Sequence, residues 1–219
     1  MNLLQTLELN NAAVLLFHAQ DYDKATSKFH QALFLMQDTM QSPPATPNMM
    51  PESPLKAAYH HLTISHDSYI ETPESMFLYL RPLAMQEIGD PQPAAAIAVF
   101  CCVILFNSAV LFHQKGIIHH KMHMIDRAQK LYDGCLFLLE GQDLSNDMTF
   151  LVAVAASNNM AQIELEKGMV CSVNDRLRTM GGLIRGSRKR VREMFSSREI
   201  EGFFLNVALG GRQLSAPSA

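Results

Sequence analysis

Three stretches of this chain carry one pattern. Each has an asparagine, a run of small and apolar residues, a turn, and a second run whose contacts fall four and three residues apart. A chain built on such a unit folds as stacked helix pairs, because one pair cannot bury its apolar face alone and must cover it with the next. The first copy reads Asn11-Ala12-Ala13-Val14-Leu15-Leu16-Phe17-His18-Ala19-Gln20-Asp21-Tyr22 and continues to Ala25, Phe29 and Ala32. The second starts at Asn107-Ser108-Ala109-Val110, turns at Gly116, and continues to Ala128, Tyr132 and Cys135. The third starts at Asn159-Met160-Ala161, turns at Lys167-Gly168, and continues to Val173, Leu177 and Met180. From the asparagine to the first small contact of the second helix is 14 residues in the first and third copies and 21 in the middle one. Seven residues are therefore inserted within 117–127, so either that turn is longer or its second helix starts early.

Composition places the chain among packed proteins and leaves its electrostatics local. Of 219 residues, 48% are hydrophobic and 18% charged, and the net charge is only −3, so no global field argues for nucleic acid or an anionic membrane. The four cysteines, Cys101, Cys102, Cys135 and Cys171, have no C-x-x-C spacing and read as buried, reduced thiols, which points to the cytoplasm. The first eight residues lack a basic region and an unbroken apolar stretch, so they do not read as a secretory signal. Residues 94–106 are thirteen consecutive apolar residues, but a membrane span needs about twenty with basic flanks. This run leads into the second copy, as 150–156 leads into the third, and both read as first helices buried between neighbours.

The same cues divide the chain. Residues 1–36 form the first helix pair, with helices over 4–19 and 22–36 and Asp21 capping the second. Residues 37–75 form a Pro-rich linker or extruded loop holding Pro43, Pro44, Pro47, Pro51 and Pro54. Within 76–92, the run Met76-Phe77-Leu78-Tyr79-Leu80-Arg81-Pro82-Leu83 reads as a short strand or extended segment, with Pro82 tolerable only at an edge. Residues 93–211 hold two more helix pairs and a terminal helix, punctuated by Gly116, Gly141, Gly168 and Gly181-Gly182. That last helix opens on a capping box, Ser196-Ser197-Arg198-Glu199, carries the stripe Ile200, Phe203, Phe204 and Val207, and stops at Gly210-Gly211. Residues 212–219 form a small, polar tail expected to be disordered.

On these residues, 7–36 above all, the chain resembles a tetratricopeptide repeat, through Asp21-Tyr22, Lys24-Ala25, Phe29 and Ala32. The combination of Tyr79-Leu80-Arg81, Phe106-Asn107-Ser108-Ala109, Glu201-Gly202-Phe203-Phe204-Leu205-Asn206 and the closing Ala216-Pro217-Ser218-Ala219 also resembles an uncharacterised family of repeat proteins from diatoms. The first resemblance implies a scaffold whose first helices line a groove for a peptide or helix of another protein, and the second implies no known activity. One tetratricopeptide subgroup clamps a partner's C-terminal carboxylate with basic residues. The matching positions here carry Asn10, Ala155 and Asn159, which removes the clamp's cations.

Placed on that groove, the first helices present Asn10, Asn11, Val14 and His18, then Phe106, Asn107, Val110, His113 and Gln114, then Asn158, Asn159, Gln162 and Glu166. An asparagine side chain offers two donors and an acceptor, so it can pair with the main chain of an extended peptide whatever its side chains. The competing expectation is that each asparagine merely bonds a neighbouring helix. His119 and His123 are four residues apart, with His120 and His113 nearby, which is the spacing of a helical zinc pair, yet no acidic or cysteine ligand accompanies them. An exposed His-rich turn is the simpler reading, so no metal and no cofactor are assigned.

The one dense basic block contains Arg185, Arg188, Lys189, Arg190 and Arg192. It fits a solvated helix face, with nuclear targeting or an acidic partner as the functional options. Gly181 and Gly186 mimic the first glycines of a phosphate loop, but Ser187 stands where its lysine belongs, and nucleotide binding is set aside. Ser42, Thr46, Ser53 and Thr72 each precede a proline, so a proline-directed kinase could add about −1.5 to −2 charges per site.

The fold class expected is all-α: a tetratricopeptide-like helix-pair solenoid with a Pro-rich insertion and room for one short strand or hairpin. The function expected is a non-catalytic protein-interaction scaffold, holding a peptide or helix of a partner protein in the repeat groove, with no membrane span and no nucleic acid. The alternative is a small metal protein or enzyme using His113, His119 and His123.

Overall fold

A computed structural model describes residues 3–41, 78–85, 94–140, 142, 144 and 147–213. Its described secondary structure is entirely helical, which agrees with the all-α expectation. The helices are α1 (Leu3–His18), α2 (Tyr22–Gln41), α3 (Ala94–His119), α4 (Met122–Leu139), α5 (Asp147–Glu166), α6 (Val170–Gly186), α7 (Arg188–Met194) and α8 (Ser197–Gln213). The expected Pro-rich insertion, its Ser/Thr-Pro sites and the C-terminal tail lie outside the described residues, except that 37–41 continue α2 and 212–213 continue α8 as helix, where linker and disordered tail were expected.

The helices pack in sequence. α1 lies on α2, α3 on α4 and α5 on α6, while α2 against α3 and α4 against α5 join the pairs. α8 covers α6. The second helix of each pair turns a stripe inward at three- and four-residue spacing: Ala25, Phe29, Ala32 and Met36 on α2, Ala128, Tyr132 and Cys135 on α4, and Val173, Leu177 and Met180 on α6 are all buried. Ala25 and Ala32 on α2 and Ala128 on α4 let the paired helices approach. Each large residue of the stripes contributes about 1.5 to 3 kcal/mol of burial.

Each pair is joined by the same turn. In the first, Gln20 N–H donates to Phe17 O and Asp21 N–H to Leu16 O; in the second, His120 N–H donates to Ile117 O and Lys121 N–H to Gly116 O; in the third, Gly168 N–H donates to Leu165 O and Met169 N–H to Glu164 O. This paired closure needs a left-handed residue after the helix. The φ angles are 60° at Gln20, 52° at His120 and 72° at Gly168, so only the third copy uses glycine there. Asp21 then caps α2, its carboxylate accepting from Lys24 N–H at 3.3 Å.

The middle turn corrects the sequence reading. Gly116 does not end α3, which runs on to His119, and the connection is as short as the other two. Ile125 is buried five residues after the left-handed His120, where Ala25 and Val173 stand in the other copies, so the extra length is about one turn of α3 beyond Asn107, with Ala128 one turn further along α4. Gly116 is needed for close approach instead: a Cβ there would lie 2.4 Å from Ile125 Cδ1 and 2.8 Å from its Cγ1. Two other glycine stops also fail, because α6 runs through Gly181-Gly182 and α8 through Gly210-Gly211. A glycine inside a helix costs only about 1 kcal/mol, which packing overrides.

α3 and α5 are apolar because they are covered on several sides. Within α3, the segment Ile97–His119 is long and apolar enough to cross a membrane, but 78% of its apolar window is buried against the rest of the protein. Along α5, every residue from Met148 through Ala161 is buried. Three cysteines share this interior: Cys101, Cys102 and Cys135 are buried, with Cys102 Sγ–H aimed at Cys135 O and Cys135 Sγ–H at Cys102 O. Burial pushes the Cys101 thiol up to about 11, helped by Cys102 beside it. Cys171 is exposed, contrary to the reading of four buried thiols, because it sits on the face of α6 opposite Val173 and Leu177.

The capping box at the last helix is present, Ser196 N–H donating to Glu199 Oε2 at 2.7 Å and Glu199 N–H to Ser196 Oγ at 3.3 Å. Its buried stripe is narrower than expected. Phe203 is buried and Ile200 and Val207 pack on the core, but Phe204 points outward, 46% exposed.

Candidate functional site

α1, α3 and α5 are the first helices of the three pairs, and α3 touches both of the others. They present Asn11, Asn107 and Asn159 at matching places in the repeated pattern. Residues 78–85 run across them outside any helix or strand, and the contacts at 79, 83 and 85 fall on one edge at even-numbered spacing, as they do in extended chain. The asparagine side chains take the place of a neighbouring strand.

Each asparagine holds both main-chain groups of one residue. Asn159 Oδ1 accepts from Tyr79 N–H at 2.8 Å while its Nδ2 donates to Tyr79 O at 2.7 Å. Asn107 Oδ1 accepts from Leu83 N–H at 2.7 Å and its Nδ2 donates to Leu83 O at 2.9 Å. Asn11 Oδ1 accepts from Met85 N–H at 2.8 Å, and its Nδ2 donates to Met85 O. The segment runs opposite to the order of the pairs, Tyr79 at the third and Met85 at the first. The spans also match, since six extended residues cover about 20 Å and two helix-to-helix steps are about 8–10 Å each.

The amides of Asn107 and Asn159 use both of their hydrogens. Asn107 gives its second N–H to Asn10 Oδ1 at 2.8 Å, and Asn159 gives its second to the Tyr132 hydroxyl at 2.8 Å. Asn10 adds another donor to Leu83 O at 3.1 Å. Burial pushes the Tyr132 phenol far above its ordinary range, which keeps it a neutral partner for Asn159. Pro82 fits where it sits, because the asparagines grip residues 79, 83 and 85, and a missing N–H at 82 removes nothing they use.

Residue 81 lies on the gripped edge but is held by its side chain. Arg81 Nη2 donates to Glu199 Oε2 at 3.0 Å and Arg81 Nε lies 3.0 Å from Oε1, an ion pair with both side chains mostly buried. The guanidinium also lies 5.2 Å from the centroid of the Tyr79 ring. Tyr79 itself sits between Phe106, centroids 5.9 Å apart, and Phe195, at 5.7 Å and nearly perpendicular. Sequence reasoning did not assign Tyr79, Arg81, Leu83, Met85 or Glu199 to the site. The usable signal was the presence, in one chain, of an asparagine series and one extended run lacking its own pairing partner.

The other residues expected in the groove divide by place. Phe106 packs on Tyr79, while Val14 and Val110 are buried in the core. Asn158 Oδ1 accepts from Asn206 of α8 at 2.7 Å, Gln162 donates to Asn206 Oδ1 at 2.6 Å, and Gln114 donates to the Tyr22 hydroxyl at 3.2 Å. These three therefore bond helices, as the competing expectation for the amides allowed. His18 is half-buried with its ring edge-on to Phe17, and Glu166 is exposed at the end of α5.

The histidines are not brought together. His113 is buried edge-on to Tyr132, its Nδ1 without a hydrogen-bond partner and its pKa pulled down to about 4 by burial. His119, His120 and His123 are exposed. Among the described residues, no group of three or more His, Cys, Asp or Glu side chains is placed to hold a metal ion. In the basic block, Arg185, Arg188, Lys189 and Arg192 are exposed, but Arg190 lies 4.5 Å over the Phe150 ring, pairs with Asp147 and donates to Leu144 O. Arg190 thus braces the start of α5. A buried carboxylate that the sequence did not single out, Glu164, accepts from Arg176 at 2.6 Å, and Arg176 also reaches Asp133, tying α4, α5 and α6 together.

Comparison with models of protein families, with curated proteins and with solved structures finds no match for this chain.

Proposed function

We propose that this protein is a non-catalytic interaction module, a tetratricopeptide-like solenoid whose trough takes an extended polypeptide by its main chain and holds its own residues 78–85 there. The observation that carries the reading is the grip of Asn11, Asn107 and Asn159, each on the N–H and C=O of a single residue. Main-chain recognition of this kind works on an extended peptide largely independently of its side chains, as strand addition to a sheet edge does. The nearest-neighbour packing of the pairs and their shared turn support the solenoid reading.

The partner in this reading is another protein, engaged through an extended segment rather than a helix, because the spacing of the asparagines matches extended chain. A test uses the full chain with Tyr79→Ser and Leu83→Ser, which loosen the resident segment, and a fluorescent peptide of residues 76–87. Binding that disappears when Asn107→Ala and Asn159→Ala are added is the expected result. A loosened chain that keeps its helical circular dichroism yet leaves the peptide free would contradict the reading.

A further inference from the structure

The asparagines read main chain, so they carry no information about sequence. On the gripped edge Arg81 brings a charge, and its side chain forms an ion pair with Glu199, which is held in place by α8. Glu199 is held by the amide of Ser196 at the start of α8, so its carboxylate is oriented by its own helix, independently of the arginine. With the segment in place the Arg81 side chain is 8% exposed and that of Glu199 14%. An occupant with a neutral residue at this position would leave that carboxylate covered without a cation. Lysine would supply charge but not the planar guanidinium that lies against both carboxylate oxygens and the Tyr79 ring.

Two residues before the arginine, the Tyr79 ring fills the space between Phe106 and Phe195, and two residues after it Leu83 is fully buried. Resting on the peptide-trough reading above, we propose that the trough selects a partner protein carrying an extended Tyr-x-Arg-x-Leu segment, with Glu199 as the residue that selects the arginine, and that residues 78–85 are the built-in competitor for that site. The resident has an advantage of tethering, since only eight residues, 86–93, join it to α3. A short tether gives an effective concentration on the order of millimolar, so a partner with equal contacts competes poorly until the resident is weakened.

The test uses full-length protein and the fluorescent 76–87 peptide. In Arg81→Glu protein the resident carboxylate faces Glu199 and repels it, which opens the trough. The peptide is expected to bind this variant at least about tenfold more tightly than wild type, because the tethered competitor is gone. A peptide with Arg81→Ala is expected to bind the same variant about a hundredfold more weakly, from the unpaired carboxylate it leaves. Glu199→Arg protein should reverse the preference and take the Arg81→Glu peptide over the original.

Equal binding of the original and Arg81→Ala peptides would overturn arginine selection while leaving the trough reading intact. Binding of neither peptide to a helical Arg81→Glu protein would remove both. If Arg81→Glu protein loses its helical signal, the Arg81→Glu/Glu199→Arg double variant decides. Restored amide protection at residues 79 and 83 in the double variant supports the pairing, and continued loss overturns it.

Discussion

Asn107 is the residue on which the site turns, because its amide meets Leu83 N–H, Leu83 O and Asn10 together in a buried setting. Truncation leaves a main-chain donor and acceptor without their main partner, at about 1 to 3 kcal/mol for each unsatisfied group. Asn107→Ala should therefore lower the unfolding free energy in urea by roughly 2 to 4 kcal/mol. Asn107→Asp should cost at least as much, since a carboxylate would face Leu83 O with no hydrogen to give. A change of less than about half a kcal/mol in either variant would show that the contact is dispensable.

His113 supplies a pH dependence of definite sign. Burial holds its folded pKa at about 4 against an ordinary 6.5, so between those values the unfolded chain binds a proton that the folded chain refuses. Its contribution is complete above pH 6.5 and is lost as pH falls through this window, at about 1.4 kcal/mol per unit. From pH 7 to pH 5 wild type should lose roughly 2 kcal/mol more than His113→Phe. Urea unfolding of both proteins at the two pH values checks this, and parallel losses would refute it.

At the scale of elements, the repeated left-handed turn gives opposite effects for reciprocal substitutions. A non-glycine residue in this conformation costs about 1 to 2 kcal/mol, so His120→Gly should stabilise by up to about 1 kcal/mol after the extra freedom gained by the unfolded chain, and Gly168→Ala should destabilise by a similar amount. Thermal unfolding midpoints that move the same way for both would contradict the shared turn.

These turns also explain what the sequence disclosed. Helix interiors were legible because burial repeats with the helical period: Ala25, Phe29 and Ala32 had to face inward, and so did their counterparts on α4 and α6. Boundaries were less legible where glycine served packing rather than turning. Gly116 admits Ile125 and the turn falls at His120, a residue whose type announces nothing. The asparagines were legible as main-chain readers because an amide's donors and acceptor suit that task. Their ligand was not, because local pattern marks 78–85 as extended and carries no information about an edge lying 24 to 80 residues away in the chain.

For the whole molecule, the segment joins all three helix pairs and α8, through Asn11, Asn107, Asn159 and Glu199 in turn. Occupancy of the trough and cohesion of the stack are therefore coupled, and a partner that replaced the segment would have to supply equivalent contacts along the same line. The most direct measurement is amide hydrogen exchange by nuclear magnetic resonance on the full chain. The N–H groups of Tyr79, Leu83 and Met85 should be protected in wild type, and Asn159→Ala, Asn107→Ala and Asn11→Ala should each release most strongly the amide its asparagine holds. Exchange at those three positions as fast as in an unfolded peptide, or protection unchanged by the substitutions, would contradict the account.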